Sequence, residues 1–411
     1  MLKRIAVKQL KVGMYLKEFC GSWMEHPFWR TSFVITDPKD IASILASSIK
    51  EVWIDSGKGL DVPPTETAVS VAESEAQVEA ELEEAVKVER NVAAVSIEAE
   101  MANARKICGR AKDAVISMFN EARMGNTVDA AGAQLLVEEI SDSVSRNASA
   151  LISLARLKTA DDYTYMHSVA VCAMMIVLAK QLGLDEQETK SCGLAGLLHD
   201  LGKAMTPMDI LNKPGKLTDP EFEIVKSHPA EGHKLLMAVP NVDLVALDVC
   251  LHHHEKTDGS GYPIKLKRDE ISLHAKMGAV CDVYDALTSN RPYKMGWDPA
   301  ESIRKMAEWV EGHFDKRVFQ AFVKSLGIYP IGSLVRLDSG RIGVVVEQTN
   351  HSLTTPRVKV FFSTKSDMRI PAEIVDLSLP GATDKIATRE DPEKWKFHDL
   401  NELWSGMTGT H

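Results

Sequence analysis

The segment Leu198-His199-Asp200-Leu201-Gly202-Lys203 decides how the middle of this chain is interpreted. Adjacent side chains on a helix point roughly 100° apart, so His199 and Asp200 can flank two different metal ions. A carboxylate has two oxygens, and Asp200 can therefore bridge both ions. A His-Asp pair followed by glycine and a cation has little structural use by itself, so the segment favours metal chemistry at a helix end.

Histidine is concentrated around this segment, because seven of the thirteen His residues lie between His167 and His254. The candidate ligands are imidazoles and carboxylates placed on helix-like sequence: His167, His199, Asp200, His228, His253, His254 and Asp282. With one of them bridging, they supply about four protein bonds to each of two ions. Nitrogen and oxygen ligands without thiolate favour Fe, Mn, Co or Ni over a structural zinc site. The other histidines are interpreted as core, cap or surface residues.

Composition limits the classes of function. The chain has 411 residues and a formal net charge of −10, with 58 acidic and 48 basic residues. This acidity argues against binding to a nucleic-acid polymer or an anionic membrane, while local cations and metals still permit an anionic small ligand. Six isolated Cys without a CxxC pair, and no visible signal peptide, predict a cytoplasmic protein. A homodimer is compatible with the sequence.

Changes in sequence pattern divide the chain into five parts and predict a mainly α fold. Residues 1–62 mix β-like runs with one helix and predict a small α+β module, and residues 63–98 form an acidic linker or solvated helix. Apolar residues at three- and four-residue spacing predict an all-helical domain over 99–328. Alternation predicts a small β-rich appendage over 329–380, and 381–411 is a polar tail with little expected structure.

Five separated motifs then carry a resemblance to a known family. They are Tyr163-Thr164-Tyr165-Met166-His167-Ser168-Val169, the doublet His199-Asp200 with Gly202-Lys203, Ser227-His228-Pro229 with Gly232, the stretch from His253 to Pro263, and the stretch from Asp282 to Lys294. In this order, over roughly residues 145–325, they resemble the HD-GYP family of HD phosphohydrolases. The segment 1–62 resembles a poorly understood module often found ahead of HD-GYP domains.

The resemblance implies an all-helical HD-type domain and hydrolysis of cyclic di-GMP to linear pGpG, and in some members to GMP. It implies that the seven candidates are metal ligands, and its spacing from Gly261-Tyr262-Pro263 assigns His253 and His254 rather than His252. Some members bind a third metal through a Glu four residues before the first ligand His. Tyr163 occupies that position here, so two ions, most simply Fe or Mn, are expected.

Other groups are expected to act on the substrate. A metal-bound water whose pKa is lowered towards roughly 7 would supply hydroxide, and two ions would hold it beside a phosphate oxygen. Lys203 is expected to contact the phosphate as a fixed positive charge. Arg291 and Lys294 suit phosphate or guanine contact, and Tyr262 is also expected to bind substrate.

Two further expectations concern support and partners. Asp285 lies one helical turn from Asp282, where it is expected to orient a ligand histidine or shuttle a proton. The Gly259–Pro263 loop is expected to close over the site or to offer a surface to protein partners. The N-terminal module is also expected to offer a surface to protein partners.

Two alternatives to cyclic di-GMP hydrolysis remain at this point. One is a hydrolase of the same fold that acts on another cyclic dinucleotide or nucleotide. The other is a signalling scaffold that binds nucleotide or protein partners without turnover. The acidic linker, the N-terminal module and the β-rich appendage are the features that favour this alternative.

Overall fold

The computed structural model describes residues 1–21, 32–47, 49–63, 67–86, 95–158, 162–213, 215, 217–289, 296–349 and 352–406. Two predicted substrate contacts, Arg291 and Lys294, lie outside these residues. All seven candidate ligands, Lys203, Tyr262 and Asp285 lie within them.

The N-terminal module is an antiparallel sheet with one helix against it, as the α+β pattern predicts. Its elements are β1 (Leu2–Ala6), β2 (Tyr15–Cys20), β3 (Phe33–Val34), α1 (Pro38–Ala46), β4 (Glu51–Asp55) and β5 (Val69–Ser70), with strand order β3-β2-β4-β1-β5. The Asp37 side chain caps α1 by accepting a hydrogen bond from the Lys39 backbone N–H at 2.9 Å. Since β5 pairs with β1, the sheet extends past residue 62.

The acidic segment that follows contains a packed helix, α2 (Val71–Val86). Val78 and Leu82 are buried in the same core as the central helices. They lie four residues apart, so one stripe of an otherwise acidic helix faces the core. On its outer side, Glu81 accepts a hydrogen bond from Lys316 at 2.9 Å.

Helices form the centre of the molecule and confirm the mainly α fold class. They are α3 (Ile97–Arg123), α4 (Ala130–Arg156), α5 (Tyr163–Gln181), α6 (Glu186–Leu198), α7 (Met208–Leu211), α8 (Asp219–Lys226), α9 (His228–Met237), α10 (Leu244–His252), α11 (Leu273–Thr288), α12 (Pro299–Glu308) and α13 (Lys316–Leu326). Within the described chain, α5 alone is long and apolar enough to span a membrane, and 72% of its apolar window is buried inside the fold. Its position as a core helix accounts for its apolar sequence.

The C-terminal region is a second antiparallel sheet. Its elements are β6 (Leu334–Leu337), β7 (Arg341–Glu347), β8 (Arg357–Ser363), β9 (Met368–Asp376) and β10 (Ile386–Arg389), in the order β10-β6-β7-β8-β9. One face of the sheet joins the helical core through Leu334 and Val344. The other face packs Val335 and Val345 in a small core of its own, as strand alternation requires.

The C-terminal tail has more structure than its polar composition predicts. Beyond residue 380 it contributes β10, which pairs with β6, and the short helices α14 (Pro392–Trp395) and α15 (Leu400–Ser405). Its few aromatic residues hold it in place: Trp395 contacts the ring of Phe362 edge-on, with centroids 5.4 Å apart, and Trp404 is buried. A small number of large apolar anchors therefore outweighs an otherwise polar sequence.

Candidate metal centre

The seven candidate ligands come from five helices or helix ends and meet in the interior of the helical domain. His167 lies in α5, His199 and Asp200 directly follow α6, His228 begins α9, His253 and His254 directly follow α10, and Asp282 lies in α11. Residues at helix ends can turn towards a neighbouring helix, which is why motifs far apart in sequence converge. The structure brings together all seven candidate ligands that the sequence predicts.

Asp200 stands between two groups of histidines. Its Oδ2 lies 3.3 Å from His167 Nε2 and 3.5 Å from His199 Nε2. Its Oδ1 lies 3.2 Å from His228 Nε2 and 3.8 Å from His253 Nε2. The two oxygens of one carboxylate thus face opposite sides, as expected for a ligand that bridges two ions.

The centre therefore has two halves that share Asp200. The His167 half consists of His167, His199, Asp282 and Asp200 Oδ2. The His228 half consists of His228, His253, His254 and Asp200 Oδ1. The three remaining ligand atoms of each half lie within 4.8 Å of one another, close enough to hold one ion.

Hydrogen bonds to carbonyl groups fix the tautomers of three histidines. The Nδ1 atoms of His199, His228 and His253 lie 2.8 Å from Gly196 O, 2.7 Å from Val225 O and 3.0 Å from Val249 O. A carbonyl oxygen can only accept, so each Nδ1 carries the hydrogen and donates it. Each neutral ring then directs the lone pair of Nε2 into the centre, which is the arrangement of a metal-binding imidazole.

Several buried atoms in the centre require a cation. The Nε2 atoms of His228 and His253 are 3.2 Å apart, and because both rings carry their hydrogen on Nδ1, the two Nε2 lone pairs face each other and repel. In addition, the buried Asp200 Oδ1 and Asp282 Oδ2 have no hydrogen-bond partner among the described residues. Divalent ions in the two halves would satisfy all of these atoms, so the residues fit a metal centre.

The ionisation of the centre also suits metal binding. Burial lowers the pKa of His199, lowers the pKa of His253 to about 3 and holds the pKa of His254 well below its usual range. Burial disfavours ionisation of Asp200, but the charge of Lys203 and the interactions with the surrounding histidines together outweigh this effect and hold the pKa of the carboxyl well below its usual range. These groups are therefore neutral imidazoles and a carboxylate, the forms that bind metal ions.

His167 differs from the other histidines because carboxylates surround it. Its burial favours a lower pKa, but hydrogen bonds to Asp200, Asp282 and Asp285 raise the pKa to about 10. Burial favours a higher pKa for Asp282, but the hydrogen bond from His167 and the attraction of the nearby histidines together outweigh it and hold the pKa well below its usual range. An ion that binds His167 Nε2 must therefore take the place of a proton.

Two residues support His167 from outside the centre. Asp285 Oδ2 accepts a hydrogen bond from His167 Nδ1 at 2.7 Å, a contact that suits the predicted role of orienting this candidate ligand. Lys158 pairs with the same oxygen, and its side chain has no solvent exposure. Lys158 was not predicted from the sequence, where its one signal is that it directly follows the apolar run ending in Leu157.

Gly202 allows the turn that carries Asp200 to approach α9. A Cβ atom at this position would lie 1.9 Å from His228 O and 2.4 Å from Gly232 N. No larger residue fits without moving the turn from the helix. The glycine of the HD-containing segment therefore sets the separation of Asp200 and His228.

The loop after His254 forms a partly exposed border of the His228 half. The Tyr262 ring stacks on His254, with centroids 4.7 Å apart and planes at 27°. Glu255 is buried and accepts hydrogen bonds from the backbone N–H groups of Ile264 at 2.7 Å and Leu266 at 3.0 Å, which fixes the chain after Pro263. Glu255 lies within the motif from His253 to Pro263, and its contacts to the backbone were not predicted from the sequence.

Residues that the sequence analysis excluded as ligands lie outside the two halves. His252 Nδ1 lies 2.8 Å from Asp248 Oδ1, and neither His233 nor His274 belongs to a ligand group. The Tyr163 ring lies parallel to that of His167, with centroids 5.9 Å apart. Tyr163 therefore presents an aromatic ring beside His167.

Comparisons with known proteins agree with this geometry. Residues 137–318, which contain all seven ligands, match the HD domain family, and residues 2–133 match a domain of unknown function. The chain is 55% identical, over 99% of its length and 96% of the relative's, to a Pseudomonas aeruginosa protein named cyclic di-GMP phosphodiesterase PA4108. The chain belongs to the HD-GYP family. The resemblance inferred from five motifs is confirmed.

Two other relatives show the range of names in the HD-GYP family. The chain is 37% identical, over 46% of its length and 51% of the relative's, to the Xanthomonas campestris cyclic di-GMP phosphodiesterase response regulator RpfG. It is also 37% identical to the Vibrio cholerae 3'3'-cGAMP-specific phosphodiesterase 1, over 40% of this chain and 38% of that protein.

The N-terminal match to a domain of unknown function extends to residue 133, well past the boundary at residue 62 that composition predicts.

Proposed function

We propose that this protein hydrolyses cyclic di-GMP to linear pGpG, and on to GMP where the second phosphodiester bond is also accepted. The observation that carries the proposal is a complete, convergent set of seven ligands in a chain 55% identical, along almost its whole length, to a cyclic di-GMP phosphodiesterase. The set would hold two divalent ions, and its nitrogen and oxygen donors favour Fe or Mn. A third ion is not part of the proposal, since Tyr163 has no carboxylate to offer.

Bound divalent ions would supply water of lowered pKa and polarise a phosphate oxygen. The chain's own part is to place these functions side by side. Asp200 joins the two halves through its two oxygens, which keeps the sites adjacent. The carbonyl partners of His199, His228 and His253 hold the ring orientations in advance, so little rearrangement is needed when substrate binds.

Lys203 is proposed as the residue that binds the phosphate. Its Nζ lies 2.5 Å from Asp200 Oδ2, the oxygen that faces the His167 half, and its side chain is partly exposed. A cation at this oxygen would compete with the ammonium group. Lys203 would then turn towards the solvent side, where it can neutralise a phosphate oxygen of the substrate.

Base recognition is assigned to the border of the centre. The Tyr262 ring stacks on His254 and is only partly buried, so a guanine can stack or donate hydrogen bonds there. Arg291 and Lys294 follow Asp282 by nine and twelve residues and are proposed, from sequence, as contacts to phosphate or guanine edges.

The proposal extends to the setting of the enzyme. We assign the enzyme to the cytoplasm. Residues 99–328 would form the catalytic region and residues 329–380 an appendage. The Gly259–Pro263 loop and the N-terminal module would offer surfaces to protein partners. The enzyme's acidic net charge favours small anionic substrates drawn in by local cations over nucleic-acid polymers.

The test is turnover by metal-loaded protein. Protein purified without oxygen and supplied with Fe or Mn is incubated separately with cyclic di-GMP and cyclic GMP-AMP, and products are separated by chromatography. We expect pGpG from cyclic di-GMP as the faster reaction. His199→Ala with Asp200→Ala should abolish it, whereas His252→Ala, next to the centre but paired with Asp248, should retain it.

A second substrate has a specific observation in its favour, namely the 37% identity to a 3'3'-cGAMP-specific phosphodiesterase. Faster turnover of cyclic GMP-AMP would replace cyclic di-GMP as the proposed substrate. Absence of any product from metal-loaded protein with both compounds would instead favour the signalling scaffold. Loss of turnover in the doubly substituted variant excludes a scaffold role as the whole function.

A further inference from the structure

Lys158 is a buried cation behind the His167 half of the centre. Its side chain has no solvent exposure, and its Nζ pairs with Asp285 Oδ2 and lies 5.1 Å from the centre of the Tyr163 ring. A lysine is almost never fully buried unless it is paired. Lys158 meets this condition through its ion pair with Asp285.

The partner of Lys158 connects it directly to a ligand. Asp285 Oδ2 also accepts from His167 Nδ1 at 2.7 Å, while Asp285 Oδ1 accepts from Ser289 Oγ at 3.1 Å. Three donors thus fix both oxygens of this carboxylate. Because His167 Nε2 faces Asp200 and Asp282, the chain from Lys158 through Asp285 ends at the first ion site.

The His228 half has weaker support at the corresponding atoms. The Nδ1 atoms of His228 and His253 donate to the backbone carbonyls of Val225 and Val249. A carboxylate attracts the Nδ1 hydrogen more strongly than a neutral carbonyl does, so it makes Nε2 the stronger donor to a metal. The His167 half also contains Asp282, a second negative ligand, whereas the His228 half has only the shared Asp200.

We propose that Lys158 is a positioning residue that acts through Asp285 on His167 and makes the His167 half the tighter of the two ion sites. The inference rests on the proposed metal centre and adds that an ion binds the His167 half before a second ion binds the His228 half. Lys158 keeps Asp285 as a fixed, charge-compensated carboxylate, and Asp285 holds the His167 ring with Nε2 towards the ion.

The test is a stepwise titration of metal-free protein with Mn²⁺ against a competing chelator, which yields two dissociation constants without any substrate. Lys158→Met keeps the length of the side chain and removes the charge. It should weaken the tighter step about 10- to 100-fold, the usual effect of losing support behind a ligand, and leave the weaker step unchanged. Lys158→Arg, which keeps the cation, should recover part of this loss.

Two further variants assign and control the result. His253→Ala removes a ligand of the His228 half, so the step that survives should be the tighter one. Lys112→Met breaks an ion pair of 2.8 Å with Asp162, the residue before α5, without touching Asp285, and should leave both steps unchanged. Loss of the tighter step in His253→Ala would overturn the proposed order of filling.

A thermodynamic cycle covers the case in which Lys158→Met does not fold. The double variant Lys158→Met, Asp285→Asn leaves no unpaired buried charge, and its tighter step should match that of Asp285→Asn alone, because Lys158 acts only through Asp285. Additive losses, equal weakening of both steps or no weakening in a folded Lys158→Met protein would overturn the inference. Wild-type protein that binds no second ion would overturn the metal centre itself, which separates the two failures.

Discussion

The two halves of the metal centre are held in different ways. The His167 half is anchored within the long helices α5 and α11, where Asp282 adds a carboxylate and Asp285 with Lys158 supports the histidine. The His228 half is built from residues at helix ends, where backbone carbonyls orient the rings and Tyr262 forms a partly exposed border. The difference indicates that charged groups support the His167 half, whereas backbone carbonyls and a partly exposed border define the His228 half.

Asp200→Asn tests whether the halves act as one centre, and it has the largest expected effect. The amide keeps the shape but offers only one oxygen, so it cannot serve both halves. The variant should lose several kcal/mol of charge stabilisation in the transition state. Because each loss of roughly 1.4 kcal/mol lowers the rate tenfold, kcat/KM should fall roughly 10³-fold or more. Metal analysis should show fewer than two ions per chain. A variant that keeps both ions and most of its activity would separate the halves and contradict the bridging role.

Lys203→Met tests whether the cation beside Asp200 serves the substrate or the metal. We expect kcat/KM for cyclic di-GMP to fall roughly 10²-fold, as when one donor to a developing charge is lost. The competing ammonium is also gone from Asp200 Oδ2, so ions should bind at least as tightly as in wild type. Weaker metal binding in this variant would show that Lys203 supports the ions instead.

Gly202→Ala tests the spacing between the two halves. The added methyl group would overlap His228 O, so the turn carrying Asp200 must move away from α9. Overpacking of this kind lowers the free energy of unfolding by about 1–3 kcal/mol. We expect chemical denaturation to show this loss together with weaker binding of the second ion. Gly183→Ala is the matched control. Gly183 has a positive φ but open space around it, so alanine there should lower stability through backbone strain and leave metal binding intact.

Proton release on metal binding is the smallest expected effect and distinguishes the halves. Although burial lowers it, the pKa of His167 is raised to about 10 by Asp200, Asp282 and Asp285, whereas that of His253 is lowered to about 3. Above neutral pH, only the His167 half should therefore release about one proton when an ion binds. Calorimetry in buffers of different ionisation enthalpy measures this number. Release of no proton in either step would contradict the assignment.

The same shift predicts how the stability of metal-free protein depends on pH. A histidine whose pKa is raised on folding stabilises the fold fully below its unfolded pKa of about 6.5. That contribution is lost as the pH rises through about 10, the folded value. The free energy of unfolding of metal-free protein should therefore fall across this interval, and metal-loaded protein should show a smaller fall. Urea titrations at several pH values would test this, and a rise would contradict it.

The sequence predicted which candidate ligands come together better than it predicted the residues that support them. The His199-Asp200 doublet indicates a bridging carboxylate because adjacent helical residues diverge, and the structure places Asp200 between the two groups of histidines. Asp285 was expected near a ligand because it lies one turn from Asp282. Lys158 is 127 residues from Asp285, and no local spacing relates two residues whose contact depends on where the chain beyond α4 meets α11.

The fold shows the same division between local pattern and tertiary packing. Helical periodicity and strand alternation predicted the helical centre and the two small β-containing regions. The C-terminal tail was expected to have little structure because its composition is polar, yet β10 pairs with β6 and Trp404 is buried. A few aromatic contacts and an available sheet edge decide such a segment, and neither is visible in its composition.

Anomalous X-ray diffraction from crystals of Mn-loaded or Fe-loaded protein tests the central claim most directly, because it locates each ion relative to Asp200. Two anomalous peaks are expected on opposite sides of this carboxylate. One should contact His167, His199 and Asp282, and the other should contact His228, His253 and His254. A single ion, or two ions that do not share Asp200, would contradict it.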